Sequence, residues 1–313
     1  MFKKTKKYLV ETQYDFGKFL NGYTVVDSSI GPNGEICILA VNKVPERING
    51  MFPPVQTTQA YNYKALIFSK EHCKEVVLKK QKWNYNFIQS IEKDNILLVS
   101  ARSNFYDNGK FDCNARVFDS DGNLLREFLL GDGIQNLYVT NENNIWTSYF
   151  DEGVFGNYGW DEPIGSNGLR AWNSFGNELY KYPNSGSHSI SDCYALNVMS
   201  DEDVWFYYYT DFELGRYFKG RIDYYKPDVE GADGFTVFED YVLFRGGYSN
   251  HDKYILYKML PGNQLRRKCS LTLIDKDKKV IKADYISCRG SLLLITTGTK
   301  AYLSDLKNII TTF

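Results

Sequence analysis

One stretch of the sequence concentrates side chains that can bind a ligand or transfer a proton. Residues 150–168, FDEGVFGNYGWDEPIGSNG, combine five glycines with the aromatic residues Tyr158 and Trp160 and with four carboxylates, Asp151, Glu152, Asp161 and Glu162. Glycines let a loop fold closely around a ligand, and carboxylates beside aromatic faces suit sugars, amines or a hydrated cation. The alternative is that Tyr158 and Trp160 anchor the loop while the carboxylates face water.

A second candidate feature is a pair of carboxylates that stand at equivalent points of successive segments. Asp151 follows the strand-like run IWTSYF, and Asp211 follows the similar run VWFYYYT. If the two segments lie side by side, both carboxylates reach one rim, where such a pair supports general acid–base or metal chemistry. The alternative is that the two acids end their strands in solvent.

Three further residues lie at comparable positions. Arg245, in VLFRGGY, follows the next strand and would either clamp an anionic ligand or pair with Asp211. Asp192, in SISDCYALN, begins an apolar strand. His251 lies in the polar loop YSNHDK and is either a base or an ordinary surface histidine.

Several classes of function find no support in the sequence. The zincin, α/β-hydrolase, P-loop and dinucleotide-binding motifs are absent. The formal net charge of −1 argues against a nucleic-acid partner, and no apolar run suggests a membrane span or a signal peptide. The six cysteines form no C-x-x-C pair of the kind found in metal or redox sites. Because the sequence shows no export signal, we expect reduced thiols and a cytoplasmic protein. No cofactor is predicted, apart from a divalent cation if the protein is a metal-dependent enzyme.

The elements that would position these residues follow from an internal repeat. The segments RVFDSDGNLLREF, from Arg116, and RAWNSFGNELYKY, from Arg170, share five identical residues at an offset of 54. Each indicates two strands joined by a tight Gly-Asn turn. Pairs of aromatic-rich strands recur between such hairpins, and helical periodicity is nearly absent. Aromatic residues make up 16% of the chain, which also favours strands.

We therefore predict one all-β domain over residues 1–313, a β-propeller with six blades. Five or seven blades are the alternatives. The predicted blades are 23–81, 82–131, 132–187, 188–230, 231–277 and 278–313. Because the last is short, residues 5–15 are expected to supply its outermost strand and so close the ring, which removes an exposed sheet edge.

The turn DSDGNLL and the strand NNIWTS are similar to blades of the NHL and gluconolactonase-like propellers. The stretches WTSYFDEGVFGNYGW and SDCYALNV resemble bacterial propeller-like proteins that consist of this fold alone and whose function is unknown. The resemblance implies that ligands meet the face formed by the loops after each second strand. In this chain those loops are predicted at 42–62, 102–114, 151–168, 211–220 and 248–253, and long loops in compact domains are often functional.

Three functions remain open at this stage. The first is a binding module that presents aromatic and acidic loops to a small molecule, a glycan or a protein. The second is a hydrolase or lyase with a carboxylate or divalent-metal site at the channel mouth. The third is a scaffold that uses its blade edges, which requires an exposed apolar patch. The candidate ligand-binding residues are Asp151, Glu152, Tyr158, Trp160, Asp192, Asp211, Arg245 and His251.

Overall fold

A computed structural model describes residues 5–47, 53–70, 72–184, 186–248 and 250–312. The basic residues Lys3 and Lys4 lie outside the described residues. The described chain forms two compact units, one from Lys18 to Asp192 and the other from Cys193 onward together with the segment before Lys18. We call them the first and the second unit. The prediction of a single domain stays a prediction.

The first unit contains three four-stranded antiparallel sheets, each built from consecutive strands. Blade 1 consists of β3 (Thr24–Ile30), β4 (Ile36–Val41), β5 (Gln56–Ser69) and β6 (His72–Trp83). Blade 2 consists of β7 (Phe87–Ile91), β8 (Asn95–Val99), β9 (Ala115–Phe118) and β10 (Leu124–Phe128). Blade 3 consists of β11 (Ile134–Val139), β12 (Ile145–Tyr149), β13 (Leu169–Trp172) and β14 (Glu178–Lys181).

The second unit contains the other three sheets. Blade 4 consists of β15 (Asp192–Ser200), β16 (Asp203–Tyr209), β17 (Glu213–Phe218) and β18 (Arg221–Tyr225). Blade 5 consists of β19 (Phe235–Phe238), β20 (Tyr241–Arg245), β21 (Tyr254–Leu260) and β22 (Gln264–Ile274), and β1 (Lys6–Leu9) adds a fifth, parallel strand to β22. Blade 6 consists of β23 (Tyr285–Arg289), β24 (Leu292–Thr297), β25 (Lys300–Asp305) and β2 (Thr12–Asp15).

The fold class is therefore that of a six-blade β-propeller, as predicted. The N-terminal segment supplies the outermost strand of blade 6, with Tyr14 opposite Ala301. The two copies of the repeat are the β9–β10 and β13–β14 hairpins, and their turns hold Gly122 and Gly176 at φ values of +83° and +81°. The described residues also form the short helices α1 (Gly17–Leu20), α2 (Asp151–Phe155) and α3 (Leu306–Thr312) and two 3₁₀ turns, Ile164–Asn167 and Gly186–His188. None of these helices is long and apolar enough to cross a membrane.

Two predicted loops differ from the structure. The loop predicted at 42–62 ends at Val55, because β5 begins at Gln56, and its residues 48–52 lie outside the described residues. Residues 211–220 do not form an extended loop, because β17 pairs along its whole length with both β16 and β18. The connection after β16 is only three residues long, and Asp211 is its exposed middle residue. Lys219 and Gly220, with φ values of +47° and +83°, make the tight turn between β17 and β18. Gly215 lies against the ring of Phe206, where a β-carbon would come within 2.3 Å of a ring atom.

Buried apolar clusters fill the spaces between neighbouring blades of each unit. In the first unit one cluster joins blades 1 and 2, and another joins blades 2 and 3. In the second unit the clusters join blades 4 and 5, and blades 5 and 6. The second strand of a blade is buried on both faces, as in β4 and β12, in which every residue is buried. The burial of these strands fixes where the loops that follow them begin.

Buried amide side chains connect the innermost strands. In the first unit, Gln89 donates to the carbonyl of Ile30 and accepts from the N–H of Val139, both at 3.3 Å. In the second unit, Asn197 donates to the carbonyls of Phe235 and Gly290 at 3.0 Å and accepts from the N–H of Gly290 at 2.7 Å. Each amide therefore links three successive blades.

We expect Asn197→Ala to lower the free energy of unfolding by about 2–4 kcal/mol, because it removes three hydrogen bonds and leaves buried backbone groups unpaired. Chemical denaturation monitored by tryptophan fluorescence measures this loss. The exposed Asn308, whose side chain faces solvent on α3, provides the control, and Asn308→Ala should change stability by less than about 0.5 kcal/mol. Equal stabilities of the two variants would contradict the proposed role of Asn197.

Candidate functional site

In the first unit, Arg102 fastens the loop 150–168. Its buried guanidinium donates from Nε and Nη2 to the two carboxylate oxygens of Asp132, at 2.9 and 2.8 Å, and from Nη1 to Glu152. The ring of Tyr158 lies 3.9 Å from the guanidinium carbon, and the ring of Phe150 lies 5.2 Å from it. Glu152 and Tyr158, two of the predicted site residues, are therefore in contact with this internal cation.

Trp160 is a second anchor of the same loop. It is only 9% exposed, and its Nε1 donates to the carbonyl of Ser103 at 2.7 Å. Its ring packs against that of Phe105 at 5.0 Å. Between the two anchors, Gly159 has a φ of +85° and lies so close to Phe105 that a β-carbon would come within 2.1 Å of its carbonyl oxygen. The geometry matches the anchoring alternative for Tyr158 and Trp160.

The buried carboxylate of Asp132 lies at the junction between blades 2 and 3 and is paired with Arg102. Burial raises the pKa of Asp132 to about 6, although the charge of Arg102 opposes this shift. The backbone N–H of Ser103 also donates to Asp132, at 2.8 Å. These contacts connect the loop 100–114 to the loop 150–168.

A second raised carboxyl pKa lies at the end of the first unit. Asp192, the first residue of β15, lies close to Asp151, whose backbone N–H hydrogen-bonds its carboxylate. Burial and, second, the negative charge of Asp151 raise the pKa of Asp192 to about 7. One oxygen of Asp192 is buried without a hydrogen-bond partner among the described residues. The two predicted acids therefore form a carboxylate pair that holds a proton near neutral pH.

In the second unit, Arg245 fastens the loop 246–253. Its Nη1 donates to Asp233 at 2.9 Å, and its Nε donates to the carbonyl of His251 at 3.0 Å. Nδ1 of His251 lies 3.8 Å from the second oxygen of Asp233. Arg245 thus pairs with Asp233 and not with Asp211, because Asp233 lies two residues before the neighbouring strand β19 of its own blade. The proximity of Asp211 to Asp151 stays a prediction.

The same loop contributes to a cluster of half-buried and exposed rings, which we call the aromatic platform: Tyr194, Tyr209, Phe212 and Tyr248. Phe212 is its centre, with ring centroids 5.5 Å from Tyr209 and 6.1 Å from both Tyr194 and Tyr248. The hydroxyl groups of Tyr194 and Tyr248 share a hydrogen bond of 2.7 Å. Tyr209 and Tyr248 are the most exposed members, at 40% and 58%.

The backbone under the platform is strained. Phe212 has a φ of +53°, a left-handed conformation that is costly for a bulky side chain. Its ring also packs against the buried ring of Tyr207, at 6.2 Å. The strain is thus maintained by the packing that orients the platform.

The sequence analysis missed several of these residues. Phe212 and Tyr248 stand in or beside predicted loops, but Tyr194 and Tyr209 lie within strands. The alternation of Tyr194 with the buried Cys193 and Ala195 is the signal that could have marked it as an outward-facing residue. Arg102 opens its loop as Asp151 opens the next one, yet its partners are 30 and 50 residues away.

A metal centre finds no support in the described part of the chain, where no group of three or more histidine, cysteine, aspartate or glutamate side chains could hold an ion. The raised pKa of Asp192 suits proton transfer near neutral pH, and the aromatic platform offers binding through ring faces.

Replacing Asp151 with asparagine should lower the pKa of Asp192 from about 7, because the neighbouring negative charge disappears while the burial remains. Carboxyl NMR titration measures this change. Asp161→Asn, in an exposed part of the same loop, should leave the titration unaltered. An unchanged Asp192 in the Asp151→Asn variant would show that burial alone causes the shift.

The raised pKa of Asp192 contributes to the pH dependence of the protein's stability. The folded protein binds the proton of Asp192 more tightly than the unfolded chain, so this contribution is complete below about pH 4 and is lost as the pH rises through about 7. Asp192→Asn should therefore unfold at a higher temperature than the wild type at pH 8 and at nearly the same temperature at pH 4. A pH-independent difference would contradict this assignment.

One protein-family model matches part of the chain. The YxzG family matches residues 175–304, which is less than half of the chain. No curated protein sequence matches significantly.

Among solved structures, the β-propeller domain of Swd1 from Myceliophteria thermophila is 8% identical, with a TM-score of 0.51, and 90% of this chain and 98% of that chain are covered. A gluconolactonase from Xanthomonas campestris is 10% identical, with a TM-score of 0.43 and coverage of 96% and 98%. BamB from Moraxella catarrhalis is 9% identical, with a TM-score of 0.44 and coverage of 90% and 68%. At these identities the chain is similar to them in fold alone.

Proposed function

We propose that this protein is a binding module that recognises a glycan through the aromatic platform. The observation that carries the proposal is the cluster of four rings packed around Phe212, of which Tyr209 and Tyr248 are exposed. A pyranose presents apolar C–H groups on its faces and hydroxyl groups at its edges. Ring faces bind the first surface, and phenolic hydroxyls such as those of Tyr194 and Tyr248 bind the second.

Rigidity is the second argument for binding. Each ring of the platform touches others of the cluster, and Tyr248 is held at both ends, by its hydroxyl bond to Tyr194 and by its backbone N–H, which donates to the carbonyl of Glu230 at 3.3 Å. Rings that are already ordered lose little conformational entropy when a ligand arrives. The platform is therefore suited to a weakly hydrophobic ligand that supplies modest contact energy.

A protein partner is the alternative ligand for the same surface. Tyrosine is enriched at protein interfaces, but a stable interface buries about 800 Å² on each partner. A platform of four rings is small for such an interface, and this favours the glycan.

All six cysteines are free thiols, which supports the proposed cytoplasmic location.

A hydrolase or lyase is the second candidate function, and the carboxylate pair supports it. A group that titrates near pH 7 is well matched to general acid–base catalysis at neutral pH, and Asp192 has this property with one oxygen that accepts no hydrogen bond from the described residues. Assays with chromogenic esters, lactones and glycosides test it. Turnover that depends on a group titrating near pH 7, and that is lost in Asp192→Asn, would support this function, whereas turnover unaffected by the substitution would exclude Asp192 from it.

The glycan proposal predicts that the wild type binds members of a carbohydrate array and that the double variant Tyr209→Ala/Tyr248→Ala loses this binding. Two exposed rings are removed, and we expect affinity to fall by about tenfold for each. Calorimetry with the glycans selected on the array measures the loss.

The matched control is Phe175→Ala, which removes a ring that is 63% exposed in the first unit. It should bind as tightly as the wild type. An array without any binding, or a double variant with unchanged affinity, would overturn the proposal. Retained binding to a protein but to no glycan would replace it by the protein-partner alternative.

A further inference from the structure

A polar cavity of about 500 Å³ adjoins the aromatic platform in the second unit. Tyr248 lines this cavity and also belongs to the platform. The cavity walls come from the loop 246–253, from the segment before β19, and from β22. Its volume lies within the range of ordinary ligand pockets, so the platform continues into a second, differently built surface.

The cavity presents polar groups that the fold leaves available. Glu230, Asn250 and Lys253 line it. Their backbone groups are hydrogen-bonded, but none of their side chains makes a hydrogen bond or an ion pair with the rest of the described chain. They offer a carboxylate, an amide and an ammonium group. Such groups donate to and accept from hydroxyl groups at the edge of a sugar.

Two other charged residues of the cavity are already engaged. Asp228 accepts a hydrogen bond from the hydroxyl of Tyr257 and lies 3.6 Å from Arg267. Arg267 also donates to the hydroxyl of Ser270 at 2.8 Å. The lining charges therefore balance in sign, with two acids and two bases. An anionic ligand would meet two carboxylates as well as the two cations.

The loop that forms the cavity is preorganised. The N–H of Gly246 donates to the carbonyl of Lys253 at 2.6 Å, and the N–H groups of Asn250 and Lys253 donate within the loop at 2.7 and 2.9 Å. Gly247 lies so close to the carbonyl oxygen of Glu230 that a β-carbon would come within 1.6 Å of it. Only glycine fits there, so Asn250 and Lys253 are presented from a fixed frame.

We infer that this cavity is a second sugar subsite and that the ligand is a neutral oligosaccharide, one unit of which lies on the platform while the next enters the cavity. This inference rests on the proposed glycan binding. The platform provides contact with the ring faces, and the cavity provides hydrogen bonds that distinguish one sugar from another.

The test is calorimetric titration of the wild type with glucose and N-acetylglucosamine, with cello-, malto- and chito-oligosaccharides of two to six units, and with a hyaluronan hexasaccharide as the acidic probe. We expect affinity for at least one neutral series to rise about tenfold from the monosaccharide to the disaccharide. Asn250→Ala/Lys253→Ala should lose this gain and keep the affinity for the monosaccharide, whereas Tyr248→Ala should weaken both.

The control is Lys268→Ala, an exposed lysine of β22 that does not line the cavity, and it should retain the gain from the monosaccharide to the disaccharide. Equal affinity for the monosaccharide and the disaccharide, or a gain that survives in Asn250→Ala/Lys253→Ala, would overturn the second subsite alone. Tighter binding of the hyaluronan hexasaccharide would overturn the neutral ligand. Absence of binding by every saccharide, monosaccharides included, would overturn the proposed function together with the inference.

Discussion

The amide hydrogen bonds between innermost strands are the constraint on which the rest of each unit depends. An innermost strand has only one neighbour within its own blade, so its other edge presents backbone groups that need partners. Gln89 in the first unit and Asn197 in the second satisfy such groups on two other blades at once. A side chain that donates and accepts in opposite directions can do this, whereas an apolar residue would leave the strand edges unpaired. The amides thus set the spacing of blades within a unit, and the buried clusters fill the space that this spacing defines.

Arginine side chains hold two of the loops in place through hydrogen bonds. Arg102 connects its own loop to Asp132 and Glu152, and Arg245 connects the segment before β19, through Asp233, to its own loop, through the backbone of His251. The planar guanidinium bonds two groups in fixed directions, as a lysine would not. Asp192 has Asp151 as its charged neighbour, whereas Asp132 is paired with a guanidinium. Burial and, second, the negative charge of Asp151 raise the pKa of Asp192 to about 7.

Local features of the fold could be predicted from the sequence, because they recur. The hairpins around Gly122 and Gly176 repeat the same turn chemistry, which revealed the blades and their approximate limits. The roles of single side chains depend on partners that are distant in the chain and could not be predicted in this way. Trp160 is a loop anchor because its indole meets the carbonyl of Ser103, 57 residues earlier. The error at 211–220 has a local cause. The polar residues and the glycine of β17 are typical of a loop, and β17 is followed by Lys219, which has a left-handed backbone conformation.

Two aromatic residues have left-handed backbone conformations, but their rings make different kinds of contact. Tyr158 and Phe212 have φ values of +51° and +53°, and both lie in connections that follow the second strand of a blade. The ring of Tyr158 covers the buried guanidinium of Arg102, so its strain is offset by a contact that closes the loop. The ring of Phe212 instead supports Tyr209 and Tyr248, which remain exposed. Stability alone does not require a strained residue to hold other rings in water, because those rings would lose less entropy if they were free. The packing of Phe212 against the buried ring of Tyr207 offsets its strain, and the rings that Phe212 supports are those of the proposed glycan site.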